Sequence, residues 1–213
     1  MTGELEARLT QEQRRELAGL TTPAGIQAYL DAIPYSAENA NRCPLRVVQE
    51  RRAHCLDGGL LAAAALRRLG YPPLIVDLLP EPGTDDDHVL AIYRLDGCYG
   101  AVAKSNFSGL RSREPVYRSL RELVMSYFDD FFNVDRSRTL RGYTRALNLA
   151  TLDRQGWEWR DAGADAVERH LARLRHIPVI GAAAAAGLSP VDPLSYRAGT
   201  LGTDPEGLFK PRA

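Results

Sequence analysis

Residues 49–59, Gln-Glu-Arg-Arg-Ala-His-Cys-Leu-Asp-Gly-Gly, place Cys55 where a polar segment gives way to an apolar run over residues 60–69. Gly70 and the pair Pro72-Pro73 end that run, since glycine accepts a left-handed C-terminal conformation and proline cannot continue a helix. The pattern predicts a helix beginning at or just after Cys55. Unpaired backbone N–H groups and the helix dipole at such an end favour a thiolate and lower the thiol pKa. The chemistry expected of Cys55 is attack on a carbonyl carbon to give a thioester. A cysteine taken alone also packs as a small apolar residue beneath a core helix, so its partners decide between the two.

Three partners are in view. His88 opens a predicted strand downstream of the cysteine helix and is the candidate base, later acid. Gln49, six positions before Cys55, is a candidate oxyanion donor together with the Cys55 backbone N–H. The third partner must orient the His88 ring. Asp96-Gly97 is a two-residue hairpin signal, which pairs Leu95 with Cys98 and sets Ser105 opposite His88. Asn106 lies one residue further, within reach through a small bulge. Either Asn106 or Ser105 would fix the tautomer of the imidazole.

Metal chemistry is the weaker expectation. Asp85-Asp86-Asp87 with His88 supplies oxygen and nitrogen donors, but a run of neighbours does not surround an ion, and a solvated loop is expected there. His54 and Cys55 are adjacent and project in different directions, which argues against a shared zinc. Cys43, Cys55 and Cys98 include no Cys-x-x-Cys pair, so neither a zinc ribbon nor a disulfide framework is indicated. No metal and no organic cofactor is expected.

The positioning elements follow from periodicity and punctuation. Residues 8–20 read as a helix with Thr10 as N-cap and Gln13 at the capping-box position. A second helix starts at Thr22-Pro23, with Ile26, Tyr29, Leu30 and Ile33 on its apolar face, and Pro34 breaks it. Residues 36–44 are loop-like and lead through 45–50 into the cysteine segment. Residues 73–80 and 88–95 are strands separated by an acidic loop, and 98–105 is the returning strand of the hairpin. A helix is expected over about 116–128, followed by an aromatic cluster at Phe128, Phe131 and Phe132 that belongs in a core. A strand pair within 139–152 and a helix over 161–175 complete the domain. Residues 1–180 form one domain with its core at about 45–107; residues 181–213 are a tail rich in small residues and proline.

The chain carries 27 Lys and Arg against 27 Asp and Glu, so no net charge draws it to nucleic acid or an anionic membrane. Its apolar runs are too short to span a bilayer and its N-terminus is polar, so a cytoplasmic location is expected.

The segment 51–77, with Arg-Arg-Ala-His-Cys-Leu-Asp-Gly-Gly at its start and Leu-Arg-Arg-Leu-Gly-Tyr-Pro-Pro near its end, resembles the core of the transglutaminase-like superfamily. There a catalytic cysteine opens a helix, and a strand, a histidine-led strand, an Asp-Gly hairpin and a return strand follow. His88 to Gly97 matches that order, and Gln49 resembles the oxyanion glutamine of papain-like proteases, which share the fold core. The resemblance covers residues 45–107. The family's aspartate on the return strand falls at about Ala103, where the nearest polar residues are Lys104, Ser105 and Asn106; the aromatic residue after the histidine is absent too.

The resemblance implies an α+β fold with a papain- or transglutaminase-like core, in which a helix bearing Cys55 packs on an antiparallel sheet bearing His88, flanked by further helices. The expected activity is a cysteine-dependent hydrolase or acyltransferase acting on amide or peptide bonds of a peptide or protein through a thioester. The alternative is an inactive binding or scaffold protein on the same fold. Oligomeric state is not legible.

Overall fold

The structure is a computed structural model that describes residues 3–209. In chain order the elements are α1 (Gly3–Arg8), α2 (Gln11–Ala18), α3 (Pro23–Asp31), α4 (Pro44–Glu50), α5 (Cys55–Arg68), β1 (Leu74–Pro80), β2 (His88–Leu95), β3 (Cys98–Val102), β4 (Arg113–Tyr117), α6 (Leu120–Met125), β5 (Leu140–Thr144), β6 (Leu147–Asn148), α7 (Asp161–Leu171), β7 (His176–Pro178), α8 (Ala182–Ala186) and α9 (Pro193–Gly199). The architecture is α+β. One antiparallel sheet runs in the order β4-β3-β2-β1-β5-β7, with β6 also paired to β1. No helix among the described residues is long and apolar enough to cross a membrane.

Helices cover one face of the sheet. Ile26 and Leu30 of α3, Val47 of α4, Leu60 and Leu61 of α5, and Val167 of α7 share one apolar cluster with Val89, Ala91 and Tyr93 of β2. The other face of β2, Leu90 and Ile92, packs with Leu123 and Val124 of α6, Tyr127 and Phe131. Both faces of the central strands are therefore buried, which has consequences for the site below.

Local signals set most of the ends. Thr10 and Gln13 form a reciprocal capping box on α2, and Thr22 caps α3 ahead of Pro23. Helix α5 begins with His54 as its N-cap: the His54 ring accepts from Leu56 N–H, and the Asp57 carboxylate accepts from His54 N–H in return. It ends at Gly70, whose φ of +91° suits glycine. In the hairpin, Asp96 and Gly97 take φ of +49° and +81° and pair Leu95 with Cys98.

The region expected as a helix over 116–128 is instead strand β4 followed by α6. Tyr117 pairs with Tyr99 and Arg113 with Ala101 at the sheet edge, and Ser119 accepts from Glu122 N–H to start the helix later. Pairing with a neighbouring strand outweighed the helical spacing of the apolar residues. The described part of the C-terminal segment packs on the domain, with Tyr196 against the Phe132 ring and Val191 buried.

The glycines of α5 let it lie close on the sheet. A Cβ at Gly58 would stand 2.2 Å from Lys104 Cβ, and one at Gly59 would stand 2.8 Å from Val89 Cγ1. Gly58→Ala is expected to cost about 3 kcal/mol, because helix or strand must shift to make room. Gly181→Ala, with nothing within 4 Å of the added methyl, is expected to change stability by less than about 0.5 kcal/mol. Urea unfolding of both variants checks the pair; equal costs would refute the close approach.

Candidate active site

Cys55 is the first residue of α5 and is half-buried in the wall of a cavity of about 880 Å³. Tyr35, His54, Asp77, Asp86, Asp87 and Glu168 line the same cavity. The thiol donates weakly to the backbone carbonyl of Asp87, with Sγ 3.8 Å from the oxygen.

The surroundings of this thiol oppose the thiolate. Burial pushes its pKa well up, and the negative charges of Asp87, Asp77 and Asp57 push the same way, while the Val89 N–H works against them. A helix N-terminus stabilises an anion by about 0.3–1 kcal/mol, up to ~2 in partly buried geometry. Burial and like charge shift pKa values by more than that. Burial first, and then carboxylates from β1 and the loop before β2, thus work against the lowered thiol pKa expected at a helix N-terminus.

His88 is not beside Cys55. It lies in phase with Leu90 and Ile92, whereas Val89 and Ala91 face α5. Its ring points into the opposite layer, where Nε2–H donates to the Leu110 carbonyl at 2.7 Å. Burial pushes its pKa down to about 4; the Leu110 hydrogen bond works upward and the Arg113 charge downward. The imidazole is thus neutral and structural. Because side chains alternate along a strand, a shift of one position puts the acid Asp87, rather than His88, on the Cys55 side.

The other expected site residues also go elsewhere. Gln49 is exposed on α4, in a surface hollow with Glu12, Gln13 and Glu16 of α2, and is not a wall of the Cys55 cavity. Ser105 Oγ accepts from Phe107 N–H and shapes the local turn. Asn106 clamps the C-terminal segment: its Nδ2 donates to Asp204 O at 2.9 Å and its Oδ1 accepts from Asp204 N–H at 2.8 Å. Strand β3 ends at Val102, so neither side chain continues the pairing toward His88. The Asn106 clamp holds the segment that carries Gly207 and Leu208 into the cavity wall.

Two features escaped the sequence reading. The first is the network beneath the α5 N-terminus. Asp57 is fully buried and accepts from Arg42 N–H at 2.7 Å; the His54 ring lies 3.1 Å from it through Nε2. Arg42 is itself fully buried and pairs with Glu50 and Glu38. The His54 imidazole is therefore turned to Asp57 and to the helix cap. The second is Asp77, 3% exposed in β1 and in phase with Ile75 toward α5. Its pKa is pushed well above the usual range, first by burial and then by the neighbouring Asp87 charge. Its Oδ1 has no hydrogen-bond partner. A carboxylate inside the apolar run Leu-Ile-Val-Asp-Leu-Leu was the available signal, since buried acids are rare without a reason.

Asp85 turns away from this group to accept from the Thr139 hydroxyl at 2.7 Å. Among the described residues no three His, Cys, Asp or Glu side chains converge so as to hold a metal ion.

No family model matches the chain, and no curated protein sequence matches it. Among solved structures it is similar to EGTA-treated LapG of Legionella pneumophila, at a TM-score of 0.36 and 11% identity, over 49% of this chain and 64% of LapG. The match spans less than two thirds of LapG's length.

Proposed function

We propose that the chain is a ligand-binding protein on a papain- or transglutaminase-like α+β core, and that the cavity at the mouth of α5 holds its ligand without a Cys55–His88 reaction. The observation that carries this reading is the company Cys55 keeps: carboxylates face the thiol, while the His54 ring is engaged with Asp57 and the His88 ring lies across the sheet. Without His88 beside it, and with both nitrogens of the His54 ring engaged, the thiol lacks the base on which the Cys55–His88 reaction depends. A volume of about 880 Å³ suits a small molecule or a few residues of a peptide.

A cysteine-dependent hydrolase or acyltransferase is the second reading. It is favoured by the position of Cys55, at the first residue of a 14-residue helix and open to a cavity. In that case peptide or protein amides would be the substrates and the Cys55 N–H the surviving oxyanion donor.

Alkylation separates the two. Cys55 is followed with iodoacetamide from pH 6 to 10 by peptide mass spectrometry, with N-acetylcysteine in the same tube. The binding reading expects Cys55 to react at least about tenfold more slowly than the free thiol at pH 7, because the thiolate is the reacting form. Faster labelling of Cys55 than of the free thiol would discard it in favour of the enzyme.

A further inference from the structure

We infer that Asp77, Asp86 and Asp87 form a subsite for one guanidinium group, of the kind an arginine side chain carries, on the ligand bound in this cavity. The inference rests on the reading of the cavity as a binding site and names what it binds.

Among the described residues the wall of the cavity includes no lysine or arginine, although the chain as a whole balances 27 basic against 27 acidic residues. No ion pair is formed by Asp77, Asp86 or Asp87 among the described residues; of the three other acids of the wall, Glu38 pairs with Arg52, Glu168 accepts from the Asn41 amide, and Glu206 is engaged as well. A cavity lined by one sign of charge concentrates the opposite sign. The second observation is Asp77 Oδ1, a buried oxygen of the cavity wall without a donor. Such atoms are almost always satisfied in folded proteins, and leaving one orphaned costs about 1–3 kcal/mol. A donor on the ligand would remove that cost.

The arrangement selects among cations. Asp77 comes from β1 and Asp87 from the residue before β2, and both line the same cavity. A guanidinium presents five donors in a plane and bonds two carboxylates at once; an ammonium is a compact point charge with three donors. The guanidinium also stacks on aromatic faces, and the half-buried Tyr35 ring is a cavity wall near Asp86 and Asp87. On binding, a proton held by the Asp77 carboxyl leaves to solvent and the ligand's N–H groups take its place.

The probe is Nα-acetyl-arginine amide, compared with the citrulline and lysine amides, in titration calorimetry against the full chain and its Asp77→Asn and Asp87→Asn variants. We expect the arginine amide to bind at least about tenfold more tightly than the uncharged citrulline amide and more tightly than the lysine amide. Either asparagine variant should lose about tenfold or more. Equal binding of arginine and citrulline amides, equal binding of the lysine amide, or undiminished binding to Asp87→Asn would overturn the inference. Asp87 is exposed to the cavity, so its variant keeps the test alive if Asp77→Asn does not fold. Fast Cys55 alkylation with retained arginine preference would remove only the non-catalytic reading, and slow alkylation without that preference would remove only the subsite.

Discussion

Arg42→Ala is expected to lower the stability of the protein by about 3–5 kcal/mol, the largest effect of any single change considered. Arg42 is fully buried. Its Nε donates to Glu50 at 2.8 Å, its Nη1 to the Ser36 hydroxyl at 3.0 Å, and its Nη2 to Glu38. The solvent-exposed share of this network, Glu38 above all, adds little. The cost comes from what is left behind. Asp57 has no exposure, and Arg42 is its nearest fixed positive charge, 3.6 Å away through Nη1. Removing one partner of a buried pair strands the other charge, whereas replacing the whole pair with apolar groups is often harmless. For a chain of this size the loss corresponds to a melting temperature lower by roughly 10 °C. Asp57 also holds the His54 ring and the first turn of α5, so the same change should loosen the cavity wall. A loss below about 1 kcal/mol in urea unfolding would show that the network is not a structural support.

His88→Ala is expected to cost about 2–4 kcal/mol while leaving the Cys55 alkylation profile unchanged. The cost is the space vacated in the α6 layer together with the Leu110 carbonyl left without its donor. The pH dependence of the native protein carries the same signature. His88 titrates near 6.5 when unfolded and at about 4 when folded. Between those values the unfolded chain binds a proton that the folded chain refuses. The contribution is therefore fully present above pH 6.5 and is lost as pH falls to 4, by roughly 3 kcal/mol. Asp85, pushed up to about 6 chiefly by burial, acts with the opposite sign. So does Asp77, raised by burial and Asp87: both favour folding at low pH, and their contribution fades as pH rises through their folded values. In His88→Ala the histidine contribution disappears, so stability should decline less, or rise, between pH 6.5 and 4. A variant that keeps the native slope, or one that changes Cys55 reactivity, would contradict the placement of His88.

The separation of His88 from Cys55 turns on one residue's phase. The order of elements from α5 through the hairpin matches the core that the sequence resembles, and Cys55 does open a helix into a cavity. What fails is the step from order to contact. His88 is at the right place along the chain and on the wrong side of the sheet.

The amino-acid sequence by itself determined whatever depends on residues a few positions apart. Thr10 and Gln13 cap α2, Thr22 and Pro23 start α3, Gly70 and the prolines stop α5, and Asp96-Gly97 fixes the hairpin register. Each of these is a conformational preference or a hydrogen bond closed within one turn. Only the tertiary structure decided which side chains meet. Strand β2 is apolar on both faces, Val89 and Ala91 toward α5 and Leu90 and Ile92 toward α6, so no polar alternation marked its phase. That phase was set by Val89 seating against Gly59, and with it Asp87 rather than His88 came to face Cys55. The partners of Asn106, nearly a hundred residues away at Asp204, and the burial of Arg42 were equally invisible, because they exist only once distant segments pack and water is excluded.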